Sequence, residues 1–318
     1  MSRAVLAMLN VNLGYKKGET IGVLFQEWAH HLGDKKPFVA SMNVSKLIYE
    51  VLRKNNFAVE LFSYTPSEAR NGVDAPKALY DKINKDILIM PTVFSLTHTD
   101  FRKYQSAKGT RIASMPGFTE EMFETLGSKN DSAIFVYEKM KSARYVKITG
   151  KNTEIIVRVN PDKINLCSGM MDKRGAFDNL PGSEVSTAPL DAQGYFTVPK
   201  GFGGEVPLLF DVTFYLKNGR FIGIKGASDE AQVYIDRNVR PIVFGGKNFE
   251  VLAELGIGTN TNITVEYIKK HGWSVLLAEK IFGSAHFANG NNSGMGGVNN
   301  APVHVDWVVP GVKIEYLR

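Results

Sequence analysis

The sequence predicts an α/β protein in two parts: an N-terminal parallel-sheet α/β domain over residues 1–145, then a β-rich α+β domain over residues 146–318. Three observations predict this. The first half alternates compact apolar runs with segments of helical periodicity, the pattern of strand–helix–strand units and so of a mostly parallel sheet covered by helices. Past residue 145, Gly, Asn and Asp turns recur about every ten residues between short β-type runs. A chain of 318 residues is also longer than one hydrophobic core usually serves.

The N-terminus reads as an amphipathic helix that runs into a turn at Lys17-Gly18. Residues 20–25 (TIGVLF) form a short apolar strand. In residues 41–55, Val44, Leu47, Ile48, Val51 and Leu52 recur at helical spacing. Residues 57–62 (FAVELF) alternate as a strand, 76–83 read as helix, and 86–90 (DILIM) as a buried strand. A turn and strand follow at 107–114, and a helix at 119–126. Residues 145–159 (YVKITGKNTEIIVRV) read as two strands joined by a turn. Further strands are expected at 206–216, 220–225 and 303–316, and helices at 229–237 and 247–255. No internal repeat, low-complexity stretch or long linker interrupts the chain.

Composition narrows the function classes. Apolar residues make up 44% and charged residues 22%, ordinary for a globular protein. The net charge of +6 comes from scattered lysines, with no basic run and no nucleic-acid-binding motif, so no nucleic-acid partner is expected. Cys167 is the single cysteine; it excludes an internal disulfide, fits a reducing compartment, and reads as a core residue in INLCSG. The N-terminal apolar stretch has no convincing cleavage site, and no stretch reaches the roughly 18 apolar residues of a membrane span. A soluble, cytoplasmic protein without a membrane partner is expected. The pair His30-His31 reads as loop, and His271 before Gly272 as a helix C-terminus.

Chemistry-bearing residues gather in four polar segments of the second half: NLPGSEVSTAP with Glu184, ELGIGTN with Glu254, EKIFGSAHFANG with Glu279 and His286, and HVDW with His304 and Asp306. In His304-Val305-Asp306, spacing of two on a strand sends both polar side chains to one face and Val305 to the other. Imidazole and carboxylate donors suit Zn²⁺, Mn²⁺, Co²⁺ or Fe²⁺. Two arrangements are open: carboxylates bridging a pair of cations that activate water and polarise a carbonyl, or one metal on two His and one carboxylate, as in non-haem iron oxygenases. A lone His-x-Asp on a strand is commonly just a hydrogen-bonded pair, and glycines beside Glu254 and His286 also serve as loop punctuation.

The four segments, in this order, resemble the signature segments of the metallo-aminopeptidases typified by aminopeptidase T and aminopeptidase S, most closely over residues 175–310. The resemblance implies an α/β N-terminal domain, a catalytic C-terminal domain, a homodimer, and a site for two divalent cations (Zn, Co or Mn). By position it implies Glu184, Glu254, His286, His304 and Asp306 as metal ligands, and Glu184 and Glu279 in catalytic roles, Glu279 as a neighbouring group or base. The sequence departs from the family where a tyrosine is found seven residues after the first histidine: Ser293 stands there. A serine lacks the phenol's reach, so Tyr267 and Tyr316 are the candidates to replace it in space. Residues 95–117 resemble a segment of relatives that include 2,5-dihydroxypyridine 5,6-dioxygenase. That resemblance implies one Fe(II) on His286, His304 and Asp306, with His98, Arg102 and Arg111 facing the cleft to hold an anionic substrate. The leading expectation is a two-metal aminopeptidase acting on peptides. An Fe(II) ring-cleaving dioxygenase and a catalytically degenerate binding relative are the alternatives.

Overall fold

The computed structural model describes residues 1–97, 99–126, 131–204 and 206–318. The chain forms two units: Met1–Lys129 with Gly169–Gly182, and Asn130–Ser168 with Ser183–Arg318. One boundary near residue 145 therefore does not describe the division. The helix Asp131–Lys141 belongs with the second unit, and a short excursion returns to the first.

The first unit is built on strands β1 (Thr20–Gln26), β2 (Ala58–Tyr64), β3 (Ile87–Met90) and β4 (Arg111–Ser114). All pair in parallel, in the order β2-β1-β3-β4. Every residue of β3 and β4 is buried, as expected of parallel strands covered on both faces. The helix Lys36–Lys54 links β1 to β2 and buries Phe38, Val44, Ile48, Val51 and Leu52. It starts ahead of the apolar run: Pro37 occupies its first turn and the Asp34 carboxylate accepts from Lys36 N at 2.9 Å. Arg53 and Lys54 in its last turn complement the helix dipole.

Arg111 was expected to face a substrate cleft; the structure corrects this. Its side chain is 3% exposed on β4. Nη1 donates to the carbonyls of Leu13 and Gly14, each at 2.7 Å, and Nη2 pairs with the Glu19 carboxylate. The residue fastens the N-terminal segment to the sheet. Arg111→Met is expected to destabilise the protein by about 3 kcal/mol, because two carbonyls and a carboxylate lose their donor together. Urea denaturation checks this; an unchanged midpoint would remove the tether. Arg102, on the helix Asp100–Ala107, donates from Nε to Thr97 O at 2.8 Å and lies over the Phe177 ring at 4.6 Å. His98 lies outside the described residues.

The second unit opens with β5 (Tyr145–Gly150), β6 (Thr153–Arg158) and β7 (Ile164–Cys167). The chain then returns to the first unit, where β8 (Phe177–Asn179) pairs in parallel with β4 at the sheet edge. It resumes with β9 (Glu184–Thr187), β10 (Asp191–Val198), β11 (Val212–Lys217), β12 (Arg220–Gly226), β13 (Leu252–Gly258), β14 (Ser284–Gly290), β15 (His304–Val309) and β16 (Lys313–Leu317). These make two antiparallel sheets, β12-β11-β10-β6-β5-β16 and β15-β14-β13-β9-β7. Aromatic side chains join them. Phe196 stacks on Phe287 at 4.2 Å between centroids, and Phe214 meets Trp307 at 4.9 Å. Trp307 Nε1 is satisfied by Asn289 Oδ1 at 2.8 Å.

Several expected elements change. Residues 247–255 were expected to be helical, but β13 begins at Leu252. All seven of its residues are buried, so no alternation marks it as a strand. Residues 119–126 form only a 3-10 turn, Glu120–Thr125. The strand expected from 206 starts at Val212. Residues 303–316 divide into β15 and β16 at a turn where Gly311 has φ +66°. No helix among the described residues is long and apolar enough to cross a membrane.

Candidate metal centre

Strand register assembles the site. Residues opposed in an antiparallel pair share a face, and that face alternates along each strand. On β14, Phe287 faces the aromatic core, so His286 and Ala288 face the other way. The partners then follow. Gly256 opposes His286 and Glu254 opposes Ala288 on β13; Asp306 opposes Ala288 and His304 opposes Gly290 on β15. Glu184 on β9 opposes Gly258 and so joins the same face. Four adjacent strands thus present Glu184, Glu254, His286, His304 and Asp306 together on the side away from the aromatic core.

The side chains meet in two groups that share Glu254. In the first, Glu184, Glu254 and His286 offer ligand atoms within 4.8 Å of one another; in the second, Glu254, His304 and Asp306 do so. His286 Nε2 is 3.2 Å from Glu184 Oε1 and 3.7 Å from Glu254 Oε1. The other oxygen of Glu254, Oε2, is 3.0 Å from His304 Nε2, which is 3.5 Å from Asp306 Oδ1. The first group is buried. The second opens outward through His304, whose side chain is 32% exposed.

Supporting contacts fix these donors. His304 Nδ1 lies 2.6 Å from the carbonyl of Asn291, which orients the ring and turns Nε2 toward the carboxylates. Gly256 lies beneath the His286 imidazole: a Cβ there would stand 2.0 Å from Cε1 and 2.1 Å from Nε2. Ser183, with φ +85°, precedes Glu184; its Oγ bonds Thr259 Oγ1 at 2.7 Å and its amide donates to Cys167 O at 2.8 Å. Glu279 and Lys280 follow the short helix Val275–Ala278. Lys280, buried like the first group, bonds Glu184 Oε2 through Nζ and reaches Glu279 Oε2 at 3.0 Å.

The electrostatics follow from this crowding. Burial alone would raise the carboxyl of Glu184, but Lys280 and His286 outweigh it and hold the group down at about 2. Glu254 is likewise held at about 2 against burial, by His286 and His304. The Asp306 carboxyl is lowered by His304 despite its burial. Glu279 goes the other way. Burial lifts it and, although Lys280 opposes, the charges of Asp306 and Glu184 help bring it to about 8. Both imidazoles are raised despite burial, His286 chiefly by Glu184 and His304 chiefly by Asp306. Asp306 Oδ1 and His286 Nδ1 are buried with no hydrogen-bond partner among the described residues. Carboxylates packed against imidazoles, one with a buried oxygen that lacks a hydrogen bond, form a candidate cation site, and the mixed N/O donor set fits a divalent transition metal.

All five donors expected from the sequence come together, and Glu279 touches them through Lys280. Sequence reasoning missed Lys280, Asn291 and Gly256. Only the Glu279-Lys280 pair inside the apolar LLAEKIF run carried a signal. Ser293 does not take the place of a phenol beside the donors. Its amide and Oγ bond Asn291 Oδ1 at 2.9 and 2.8 Å, so it braces the residue whose carbonyl orients His304. Tyr267 packs on His271 at 4.4 Å in the helix Val265–His271, and Tyr316 lies on β16 of the other sheet.

No protein-family model and no curated protein matches the sequence. Solved structures do resemble it. The 2,5-dihydroxypyridine dioxygenase from Pseudomonas putida KT2440 superposes with a TM-score of 0.73 at 16% identity, over 99% of this chain and 94% of that one. Wild-type AmpT from Thermus thermophilus superposes with a TM-score of 0.60 at 14% identity, over 99% of this chain and 95% of that one. At such identities the likeness is one of fold, and it extends over nearly the whole of each chain. The parallel α/β sheet, the paired antiparallel sheets and these similarities together give the chain the aminopeptidase T-like fold, which the dioxygenase shares.

Proposed function

We propose that the chain is a metal-dependent hydrolase of the aminopeptidase type, removing N-terminal residues from peptides. The observation that carries this reading is the pair of three-residue donor groups joined by Glu254, one carboxylate oxygen directed to each. Such a pair of positions suits two divalent cations, which, when bound, lower the pKa of a water and polarise a carbonyl. Glu184, Glu254 and His286 would hold one cation, and Glu254, His304 and Asp306 the other. The chain's own residues do the rest. The Asn291 carbonyl keeps His304 in one orientation. Gly256 lets His286 lie flat against β13. Glu279, raised toward neutrality by burial, is suited to hold and release a proton beside the donors. The exposed flank at His304 admits substrate, while the aromatic layer behind β14 keeps water from the rear of the site.

A second reading keeps His286, His304 and Asp306 as a mononuclear iron site. Its support is the composition of two imidazoles and one carboxylate. Against it, the two imidazoles fall in different converging groups among the described residues.

Protein purified without chelator is expected to contain close to two divalent ions per chain by elemental analysis, and to release amine from a panel of aminoacyl amides and short peptides. One iron per chain, with oxygen consumption on hydroxylated aromatic rings and no hydrolysis, would replace this reading with the second.

A further inference from the structure

Lys280 has a place in the donor cluster that the hydrolase reading leaves unexplained. Its side chain is 1% exposed, and an ammonium taken that far out of water persists only when paired. Nζ is held by Glu184 Oε2 and by Glu279 Oε2. The two oxygens of Glu184 therefore serve different partners: Oε2 the ammonium, and Oε1 the position beside His286. With the two metal positions proposed above filled, cations and carboxylates would alternate along the cluster: Lys280, Glu184, the first position, Glu254, the second position, Asp306.

We propose that Lys280 is a resident cation of this centre: it secures Glu184 as a one-oxygen ligand and weakens the metal position that Glu184 serves. The inference rests on the metal-binding reading above. Its physical basis is a balance of two effects. Holding Glu184 in place favours metal binding by limiting the carboxylate's freedom. A fixed positive charge one carboxylate away from a divalent ion opposes binding, and in a buried site this repulsion is the larger effect. Lys280 thus acts through Glu184 as a positioning residue. It keeps the buried carboxylates compensated, and it makes the first position the more exchangeable of the two.

The test is titration of chelator-treated protein with Mn²⁺ and with Co²⁺, followed calorimetrically and, for Co²⁺, by its visible absorption. In Lys280→Met, binding at one position is expected to tighten by roughly tenfold or more, with a smaller gain at the other. The same variant should melt lower than wild type in chelator and recover a larger part of its stability on metal addition. If Lys280→Met does not fold, Lys280→Met/Glu279→Gln also replaces the ionisable carboxyl that Nζ leaves behind with a neutral amide, and the same tightening is expected there. A purely structural lysine would weaken metal binding when lost, so weaker or unchanged affinity in a folded variant overturns the proposal and leaves the metal reading intact. Wild-type protein that binds neither ion sinks both.

Discussion

If the chain binds two metal ions as proposed, Glu254→Ala protein is expected to lose both at once, with affinity at each position reduced more than about 100-fold. The reason is the division of its carboxylate: Oε1 faces His286 and Oε2 faces His304, and both donor groups contain this residue. Loss of another ligand is expected to act locally. Asp306→Asn weakens the outer position and Glu184→Ala the buried one, each leaving close to one ion per chain. Elemental analysis of the three variants beside wild type separates the cases. If Glu254→Ala retained one tightly bound ion, the carboxylate would not be shared and the two-position arrangement would fail. On the proposed reading, turnover should fall with metal content across the three variants.

Gly256→Ala is expected to be nearly as damaging, although it adds one methyl group. That methyl would lie 2.0 Å from His286 Cε1. β13 cannot retreat, since Gly256 is paired with His286 of β14 on one side and with Ser186 of β9 on the other. The imidazole must swing aside, carrying Nε2 away from Glu184 and Glu254. A displacement of about 1 Å at a reacting centre costs on the order of 100-fold in rate, and overpacking a buried strand costs about 1–3 kcal/mol. The expected result is a folded protein with a lowered melting temperature, an empty or weakened buried metal position, and activity reduced at least 100-fold. Circular dichroism, metal analysis and kinetics on one preparation test this; normal metal content and activity would show that the ring finds another seat.

Much of the candidate site was legible because its residues lie in four segments that resemble those of a known family; residue types and spacing alone left it a suggestion. His304 and Asp306 were placed on one strand face by spacing alone, and β15 puts them there. The strands that carry the remaining donors were harder to read. β13 and β14 are buried throughout, so the alternation that reveals a half-exposed strand is missing. Glu254 was therefore found as a donor but assigned to a helix. Lys280 looked like any lysine, because pairing with two carboxylates across 96 and 1 residues of sequence separation leaves no local pattern. The Asn291 carbonyl that orients His304 is backbone and has no sequence signature. Arg111 was misassigned for a related reason: the N-terminal carbonyls it binds are 97 and 98 residues away. The first unit was the easier half, since TIGVLF and DILIM are short apolar runs of the kind parallel strands require.

The excursion of residues 169–182 into the first unit bears on the order in which the protein is made. The edge strand β8 is synthesised only after β5, β6 and β7 of the second unit, so the β4 edge of the first sheet waits unpaired while about 60 further residues are added. An open parallel edge is prone to join with another chain. Glu184 stands two residues beyond Gly182, where the excursion ends. The segment that completes the first sheet and the earliest residue of the candidate metal centre are thus made in immediate succession.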